Sequence, residues 1–365
     1  MRILVTGFTS HLGGVENFIM NYYRQMQEID SNIVMDILVT TSEPVFKEEI
    51  IQRGGQVFVV PQTRNIKAKS LIMNFFKEHG KNYDVLWCNK CELFNINYLI
   101  GAKKYHIKKI ILHSHSSSNM HTGLRKCMVE LLHQKNKCNI TKYVTDYWAC
   151  SDYAAKWMFP NKVIKDVKYI PNAIDTDKFL YNDNIRREIR KRLNIEKELV
   201  FGFIGSLYHV KNPMFALDVF NEYYKLNKKS ILLIAGAGNL ENEILEKINT
   251  LECKYSVKLL GVRKDVPNLM QALDCLLLPS FVEGFPVVAV EAQASGLPIF
   301  ASLDGITKQT KLTEGMHLLS LSLGASEWAK RISQTDLKRY DGISKLKNKG
   351  FDIKSAAKDL LDRFG

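Results

Sequence analysis

No stretch of this 365-residue chain approaches the roughly 18 uninterrupted apolar residues that a membrane-spanning helix needs. The first residues, Met1 to Gly7, lack the apolar region and cleavage site of a secretory leader and are typical of an opening β-strand. The seven cysteines are an odd number scattered through the chain, so they do not form a disulfide framework. These absences exclude a membrane-spanning protein and a disulfide-stabilised scaffold, and they favour a cytosolic enzyme.

The charge balance is strongly basic. The chain has 51 Lys and Arg residues against 38 Asp and Glu residues, and its formal net charge of +13 predicts an anionic partner. Nucleic acid is disfavoured, because the sequence lacks a basic patch interleaved with aromatic residues and lacks a helix-turn-helix pattern. A membrane surface fits better, since basic residues gather beside amphipathic segments.

One amphipathic segment leaves two interpretations open. Its apolar residues share one face of a predicted helix, and they are Leu124, Met128, Leu131 and Leu132. Four basic residues decorate the same segment, and they are Arg125, Lys126, Lys135 and Lys137. The segment either docks on the inner face of the plasma membrane or packs into the core.

Short apolar runs alternate with helical patterns along most of the chain. In the first half they are 3–6, 35–39, 57–60, 85–87, 110–112 and 147–150, and in the second half 199–204, 231–234, 257–260, 276–278 and 298–301. This alternation predicts an α/β fold in which parallel strands are joined by crossover helices into doubly wound sheets. Because the pattern restarts after a polar connector, we expect two Rossmann-like domains facing each other across a cleft, with ligands at the carboxyl ends of the strands. The basic run 186–192 within that connector is predicted to be a solvated helix face.

Two glutamates, Glu283 and Glu291, follow a predicted buried strand and are the most informative residues of the chain. Gly284 and Pro286 keep the intervening loop tight, and Val287 begins a predicted helix whose first N–H groups lack partners. Such a helix end binds phosphate well. Helical geometry places Glu291 about one turn further on the same side, so the two carboxylates can bind two hydroxyls of one phosphate-bearing ligand.

This stretch resembles the E-x7-E motif of retaining glycosyltransferases of family 4, which have the GT-B fold. Residues 294–299, Ala-Ser-Gly-Leu-Pro-Ile, resemble the A-x-G-x-P continuation of that motif. The resemblance implies that Glu283 holds donor-sugar hydroxyls together with the backbone of Gly284 and Phe285. It also implies that the Val287 amide helps to neutralise the diphosphate and that Glu291 binds the ribose.

A glycine pair after the first predicted strand is similar to the G-G-x-E loop of the same family. It comprises Gly13 and Gly14 with Glu16 two residues later. Glycines let a backbone approach a diphosphate, and a helix N-terminus supplies roughly half a positive charge. The resemblance therefore implies that this loop contributes to donor binding.

Residues 205–213 are similar to the family motif G-R-L/F-x-x-x-K-N. The resemblance implies that Lys211 holds the donor diphosphate as a point charge in place of a metal ion. Ser206 stands where the family has arginine, and the loss of a charge-assisted hydrogen bond of roughly 1.5–3 kcal/mol weakens donor binding about tenfold or more. Arg263, in a turn that resembles the base-binding turn of the family, is a candidate to supply the missing charge.

Two histidines, His113 and His115, follow a predicted strand of the first domain. The resemblance implies that one of them borders the donor sugar, and which one remains open. No cysteine or carboxylate nearby completes a set of metal ligands. The D-x-D sequence of Asp175 and Asp177 lies in the predicted connector, so we do not interpret it as a metal site.

Taken together, the resemblance implies a retaining, metal-independent hexosyl- or N-acetylhexosaminyltransferase without a cofactor. The donor would be a UDP- or GDP-linked sugar, and the acceptor a lipid-linked saccharide, because the chain looks most like bacterial exopolysaccharide and capsule enzymes. Two alternatives remain: a nucleotide-sugar 2-epimerase of the same fold, and a non-catalytic nucleotide-sugar-binding protein.

The expected domains are residues 1–178 for the acceptor and residues 179–345 for the nucleotide sugar. Residues 346–365 are expected to form a terminal helix that packs back on the first domain, as in GT-B proteins.

Overall fold

The computed structural model describes residues 1–60, 66–119, 121 and 123–365 and divides the chain into two compact units. Unit 1 comprises Met1–Ala173 and Ile353–Gly365, and unit 2 comprises Ile174–Asp352. The first crossing between units falls at residue 173, where the sequence suggested 178. The return crossing falls at residue 352, where the sequence suggested 345.

The strands are β1 (Arg2–Thr6), β2 (Val34–Val39), β3 (Val57–Val59), β4 (Val85–Lys90), β5 (Lys109–Ser114), β6 (Asp146–Ala149), β7 (Lys168–Tyr169), β8 (Leu199–Ile204), β9 (Ser230–Ala235), β10 (Val257–Leu259), β11 (Cys275–Leu278), β12 (Ile299–Ser302) and β13 (Met316–Leu319). The helices are α1 (Gly14–Ile29), α2 (Lys47–Gln52), α3 (Ile66–His79), α4 (Asn97–Lys104), α5 (Gly123–Asn139), α6 (Asp152–Met158), α7 (Asp183–Arg192), α8 (Pro213–Leu226), α9 (Glu241–Thr250), α10 (Val266–Ala272), α11 (Val287–Ala294), α12 (Gly324–Ser333), α13 (Ile343–Asn348) and α14 (Ile353–Phe364).

Unit 1 contains a parallel sheet in the order β3-β2-β1-β4-β5-β6-β7. The strand order reverses between β1 and β4, which makes that position the topological switch point of the sheet. Helix α14 packs against α1 and buries its apolar face in the same core, through Ile353, Ala357, Leu360 and Phe364. The segment after unit 2 thus completes the core of unit 1.

Unit 2 contains a second parallel sheet in the order β10-β9-β8-β11-β12-β13, with its switch point between β8 and β11. Strands β9 and β11 are buried along their whole length, which explains their continuous apolar sequences. The prediction of two doubly wound α/β sheets is confirmed. The strands β7 and β13 were missed: β7 has only two residues, both exposed, and β13 is buried only at its ends.

The basic run that was predicted to be a solvated face forms α7 of unit 2, and for two of its arginines that prediction was wrong. The Arg186 and Arg190 guanidinium groups each lie 2.6 Å from a carboxylate oxygen of Asp274. Arg190 is buried, and its Nε donates to the Ala272 carbonyl at 3.0 Å. The carbonyls that end α10 and the Asp274 carboxylate therefore hold part of this face inside the unit.

Within the described residues, no helix is both long enough and apolar enough to cross a membrane.

Candidate functional site

The loops that follow β8 and β11, on the two sides of the switch point of unit 2, bring Lys211 and Glu283 together. Lys211 Nζ donates to both carboxylate oxygens of Glu283, at 2.6 Å each. Ser280 Oγ donates to the Oε1 atom of the same carboxylate at 2.8 Å. Glu283 is only 7% exposed, so its charge is compensated where water reaches it poorly.

The two loops are connected to each other by backbone and side-chain hydrogen bonds. Asn212, directly after Lys211, has the left-handed backbone that asparagine tolerates well, and its Nδ2 donates to the Pro279 carbonyl at 3.1 Å. The Phe281 N–H donates to the Val210 carbonyl at 2.8 Å. These contacts determine the position of the Lys211 ammonium relative to the Glu283 loop.

Helix α11 begins at Val287, four residues after Glu283, and none of the described side chains caps its N-terminus. Its first N–H groups therefore lack intrahelical partners, and the helix dipole favours negative charge there. Glu291 lies in the second turn, and within the described residues its carboxylate makes no hydrogen bond or ion pair. Burial raises the pKa of Glu291 to about 7. The end of α11 thus offers backbone donors and a carboxylate that titrates near neutral pH.

The loops after β8, β9 and β10 contact one another closely through their backbones, and we call this set of contacts the glycine wall. A Cβ atom on Gly236 would lie 1.8 Å from the Gly205 carbonyl oxygen, and one on Gly238 would lie 2.3 Å from the Leu207 carbonyl oxygen. Only glycine permits this approach of two main chains. The Gly236 N–H donates to the Gly261 carbonyl at 2.8 Å and so connects the wall to the turn that contains Arg263.

The position of Arg263 bears on the replacement at Ser206. Arg263 donates from Nε and Nη2 to the two carboxylate oxygens of Asp265, at 2.8 and 2.6 Å. The Arg263 guanidinium lowers the pKa of Asp265, as expected for a bidentate ion pair. Arg263 is therefore engaged with its own turn, and Ser206 lies partly buried beside the glycine wall.

In unit 1, the loop between β1 and α1 is organised by Glu16. The Glu16 side chain is buried, and its Oε1 accepts hydrogen bonds from the Thr9 hydroxyl at 2.7 Å and the Thr9 N–H at 3.2 Å. A Cβ on Gly13 would lie 2.8 Å from Glu16 Oε2, whereas a Cβ on Gly14 would have no neighbour within 4 Å. The two glycines thus differ: a Cβ on the first would displace the end of the Glu16 side chain, and a Cβ on the second would meet none of the described residues.

The structure separates the two candidate histidines. His113 is fully buried in β5, and its Nδ1 accepts a hydrogen bond from Trp87 Nε1 at 3.3 Å. His115 is partly exposed after β5, and its Nε2 lies 2.8 Å from Asn89 Oδ1 at the end of β4. The centroids of the two imidazole rings are 4.1 Å apart. Burial lowers the pKa of His113 well below its usual range and lowers the pKa of His115 to about 3. Both imidazoles are therefore neutral at physiological pH, and His115 is the accessible one.

Sequence reasoning predicted most of the groups that meet in unit 2 and missed Ser280. The structure brings Lys211 and Glu283 into contact and places the α11 N-terminus shortly after Glu283, while the glycine pair, Glu16 and both histidines belong to unit 1. The available signal for Ser280 was its position between the end of the buried strand and the glutamate. A short polar side chain there can reach back to the carboxylate.

Within the described part of the chain, no three His, Cys, Asp or Glu side chains converge as metal ligands. The D-x-D carboxylates pair with lysines: Asp175 lies 3.3 Å from Lys178 Nζ and Asp177 lies 3.1 Å from Lys347 Nζ.

A cavity of about 560 Å³ opens on unit 2 and shares no residue with this cluster. Four lysines line it: Lys308, Lys311, Lys345 and Lys349. Lys345 pairs with Glu314, and Lys349 Nζ donates to the Leu312 carbonyl at 2.5 Å. The cavity is basic, but Lys345 and Lys349 already have partners within the described protein.

The sequence is similar to those of known glycosyltransferases. A sequence profile described as "Glycosyl transferases group 1" matches residues 185–311. The putative glycosyltransferase EpsF of Bacillus subtilis (strain 168) is 31% identical over 334 residues, which span 88% of this chain and 84% of that protein.

A second relative is the UDP-Gal:alpha-D-GlcNAc-diphosphoundecaprenol alpha-1,3-galactosyltransferase of Escherichia coli. It is 34% identical over 140 residues, which cover 37% of this chain and 36% of that protein. The crystal structure of Anabaena HepE in complex with UDP-glucose covers 100% of this chain and 99% of its own, with a TM-score of 0.78. At 18% identity, that likeness shows the fold.

Proposed function

Since this chain belongs to the group 1 glycosyltransferases of the GT-B fold, we propose that it is a retaining, metal-independent enzyme that uses a UDP- or GDP-linked sugar. It transfers a hexose or an N-acetylhexosamine to a hydroxyl of a lipid-linked saccharide in cell-surface polysaccharide synthesis. The observation that carries the proposal is the contact of Lys211 with Glu283 at the switch point of unit 2.

The chemistry makes two demands on such a site. The bond between the anomeric carbon and the diphosphate breaks, so the negative charge that develops on the leaving group needs stabilisation. The acceptor oxygen must form its bond on the face from which the diphosphate departs, because the anomeric configuration is retained. Fixed positive groups and positioning therefore supply most of the rate.

Lys211 and the N-terminus of α11 fit the first demand. The ammonium has three donors and can turn from Glu283 towards a diphosphate without moving the backbone. Before the donor binds, Glu283 compensates the Lys211 charge; afterwards, its carboxylate is available for sugar hydroxyls together with the backbone of Gly284 and Phe285. The Val287 amide and the helix dipole would add to the neutralisation of the leaving group.

The remaining donor contacts are proposed by resemblance to the family. Glu291 would bind the ribose, and the loop of Gly13 and Gly14 would approach the diphosphate. Of the two histidines, we propose that His115 borders the sugar, because His113 is fully buried against Trp87.

The proposed acceptor rests on the relatives. The name of the Escherichia coli relative includes an acceptor linked to diphosphoundecaprenol. The name of a relative from Campylobacter jejuni includes an acceptor linked to PP-undecaprenol. A lipid-linked acceptor places the reaction at a membrane surface, which agrees with the net charge of +13.

The test incubates the purified chain with a panel of UDP- and GDP-sugars and a bacterial membrane lipid extract, with a chelator present. We expect sugar from one donor to enter the lipid fraction, and NMR of the product to show the donor's anomeric configuration. Interconversion of donors without an acceptor would instead identify an epimerase, and donor binding without turnover a non-catalytic binding protein. Activity that disappears with chelator and returns with a divalent cation would contradict metal independence.

A further inference from the structure

Helix α5 presents a row of large apolar side chains to solvent. Leu124, Met128 and Leu131 are 91%, 51% and 72% exposed. Their spacing of four and three residues places them on one face of the helix. Exposed leucines are common singly, but three aligned on one helix face indicate a surface that binds something apolar.

The opposite side of α5 is anchored in unit 1. Val129 and His133 are buried. His133 Nδ1 accepts a hydrogen bond from the Leu93 N–H at 3.0 Å, and its Nε2 lies 3.0 Å from the Trp157 carbonyl oxygen. The His133 ring also stacks on Trp157, with ring centroids 3.9 Å apart. The helix cannot turn its apolar row inward without breaking these contacts.

The exposed charged side chains of α5 beside the row are basic. Lys135 is exposed one turn after Leu131 on the same face, and Arg125 and Lys126 are exposed in the first turn. The one acidic residue of the helix, Glu130, points away from the row and accepts a hydrogen bond from Gln134 Nε2 at 2.8 Å. From Leu124 to Lys135 the row extends about 16 Å at 1.5 Å per residue.

We propose that Leu124, Met128, Leu131 and Lys135, which we call the α5 row, dock this protein on an anionic lipid bilayer. The apolar side chains enter the boundary between head groups and acyl chains, and Lys135 and Arg125 stay at the level of the lipid phosphates. Charge complementarity selects this occupant, because a row bordered by basic side chains gains from a negative surface. The inference rests on the proposed function, since a lipid-linked acceptor is reached from that surface.

The experiment measures flotation of the full chain with phosphatidylcholine vesicles that contain or lack phosphatidylglycerol. The parent protein should bind the anionic vesicles, and more weakly as salt is raised. The variant Leu124→Ser/Leu131→Ser should bind them about tenfold less or worse, because two exposed leucines no longer enter the bilayer. Arg125→Glu/Lys135→Glu should lose binding most strongly at low salt.

Two matched variants control for nonspecific apolar binding and nonspecific electrostatic binding to vesicles. Leu226→Ser/Leu245→Ser removes leucines that are 61% and 46% exposed on helices of unit 2, and it should leave vesicle binding unchanged. Lys308→Glu/Lys311→Glu changes the basic cavity of unit 2 and should change binding less than the α5 charge variant does. Unchanged melting temperatures would show that each variant is folded.

A native thiol provides a second readout. Cys127 is exposed in α5 between Leu124 and Met128. In the background Cys91→Ser/Cys138→Ser, which removes the other exposed thiols of the described structure, a polarity-sensitive fluorophore on Cys127 should shift to the blue with anionic vesicles. It should not shift with phosphatidylcholine alone.

Undiminished vesicle binding of the leucine variant, or no blue shift, would overturn the proposal. So would a parent protein that self-associates and becomes monomeric in that variant, because a second copy would then cover the row. The proposed function is tested separately by donor binding and by transfer to a water-soluble acceptor analogue, both of which the leucine variant should retain. Vesicle binding through the α5 row without any sugar transfer would support the docking surface and refute the enzyme assignment.

Discussion

The Lys211 ammonium and the Glu283 carboxylate, 72 residues apart in the sequence, meet at 2.6 Å across the switch point of the unit 2 sheet. Glu283 is nearly buried, whereas about a quarter of the Lys211 side chain is exposed. The pair therefore gives the site a cation that a ligand can reach and a carboxylate whose charge that cation compensates.

Replacement of Lys211 by methionine should lower transfer by about 10²–10³-fold, because it removes a fixed charge from the leaving diphosphate. The Glu283→Gln variant should also lose most of its activity, since an amide cannot replace the carboxylate towards sugar hydroxyls. Initial rates with radiolabelled donor measure both effects. Full turnover in either variant would refute the assigned roles.

The same two variants should be non-additive in stability. Lys211→Met alone removes the ammonium from a nearly buried carboxylate that still accepts a hydrogen bond from Ser280 Oγ, so it should destabilise the protein by about 1–3 kcal/mol. Lys211→Met/Glu283→Gln should recover part of that loss, because no uncompensated charge remains. Urea unfolding of the four proteins measures the coupling, and strict additivity would contradict it.

The Ser206→Arg substitution should strengthen donor binding. A guanidinium at this position would add a charge-assisted hydrogen bond to the diphosphate, worth roughly 1.5–3 kcal/mol or about tenfold or more in affinity. Calorimetric titration with UDP- or GDP-sugars measures the gain, and Ser206→Ala serves as the control with little change. A Ser206→Arg protein of unchanged affinity would show that this position does not face the diphosphate.

Glu291 should make both stability and donor binding depend on pH. Its folded-state pKa of about 7 lies above the ordinary value of 4.5, so the folded protein holds the proton more tightly than the unfolded chain. The free energy of unfolding should therefore fall as pH rises from about 4.5 to about 7, by on the order of 2 kcal/mol, and level off above. Glu291→Gln, which carries no titrating proton, should lack this slope.

Donor affinity should change in the opposite direction with pH. A carboxylate accepts hydrogen bonds from ribose hydroxyls better than a protonated carboxyl does, so binding should tighten between pH 6 and pH 8. In Glu291→Gln this part of the pH profile should be flat. If the parent protein and the variant had the same pH profile of donor affinity, Glu291 would not bind the ribose.

The Gly14→Ala substitution tests whether the glycine loop approaches a ligand. A Cβ at this position has open space around it and begins helix α1, so stability should stay the same or rise by up to about 1 kcal/mol. If the backbone of Gly14 contacts the diphosphate, the KM for the donor should rise severalfold and the melting temperature should not fall. Gly13→Ala is the contrasting variant, because its Cβ would collide with Glu16 and lower stability.

Much of the fold was predictable because the information is local. Continuous apolar runs such as β9 and β11 have no polar face, which requires burial on both sides of a parallel sheet. The edge strands β7 and β13 were not predicted, because their signal is not local. A short strand at the edge of a sheet is defined by its hydrogen bonds with the neighbouring strand.

The site was predictable only to the level of residue types at loop positions. The motifs predicted Lys211, Glu283 and Glu291 as site residues, but they could not show that the first two bind each other or that Ser280 donates to Glu283. It likewise left His113 and His115 equivalent, although Trp87, distant in sequence, encloses one and leaves the other accessible.

The sequence by itself determined the two doubly wound sheets, the loops that carry charge at their strand ends, and the amphipathic character of α5. The periods of apolar residues and the turn-forming glycines are local properties that need no partner. Only the tertiary structure decided which charges are compensated and which surfaces stay open. Arg190 pairs with Asp274 and Lys211 pairs with Glu283. In the described protein, Leu124 and Leu131 of α5 stay exposed to solvent. Burial and pairing depend on residues far apart in the chain, and only the completed packing brings them together.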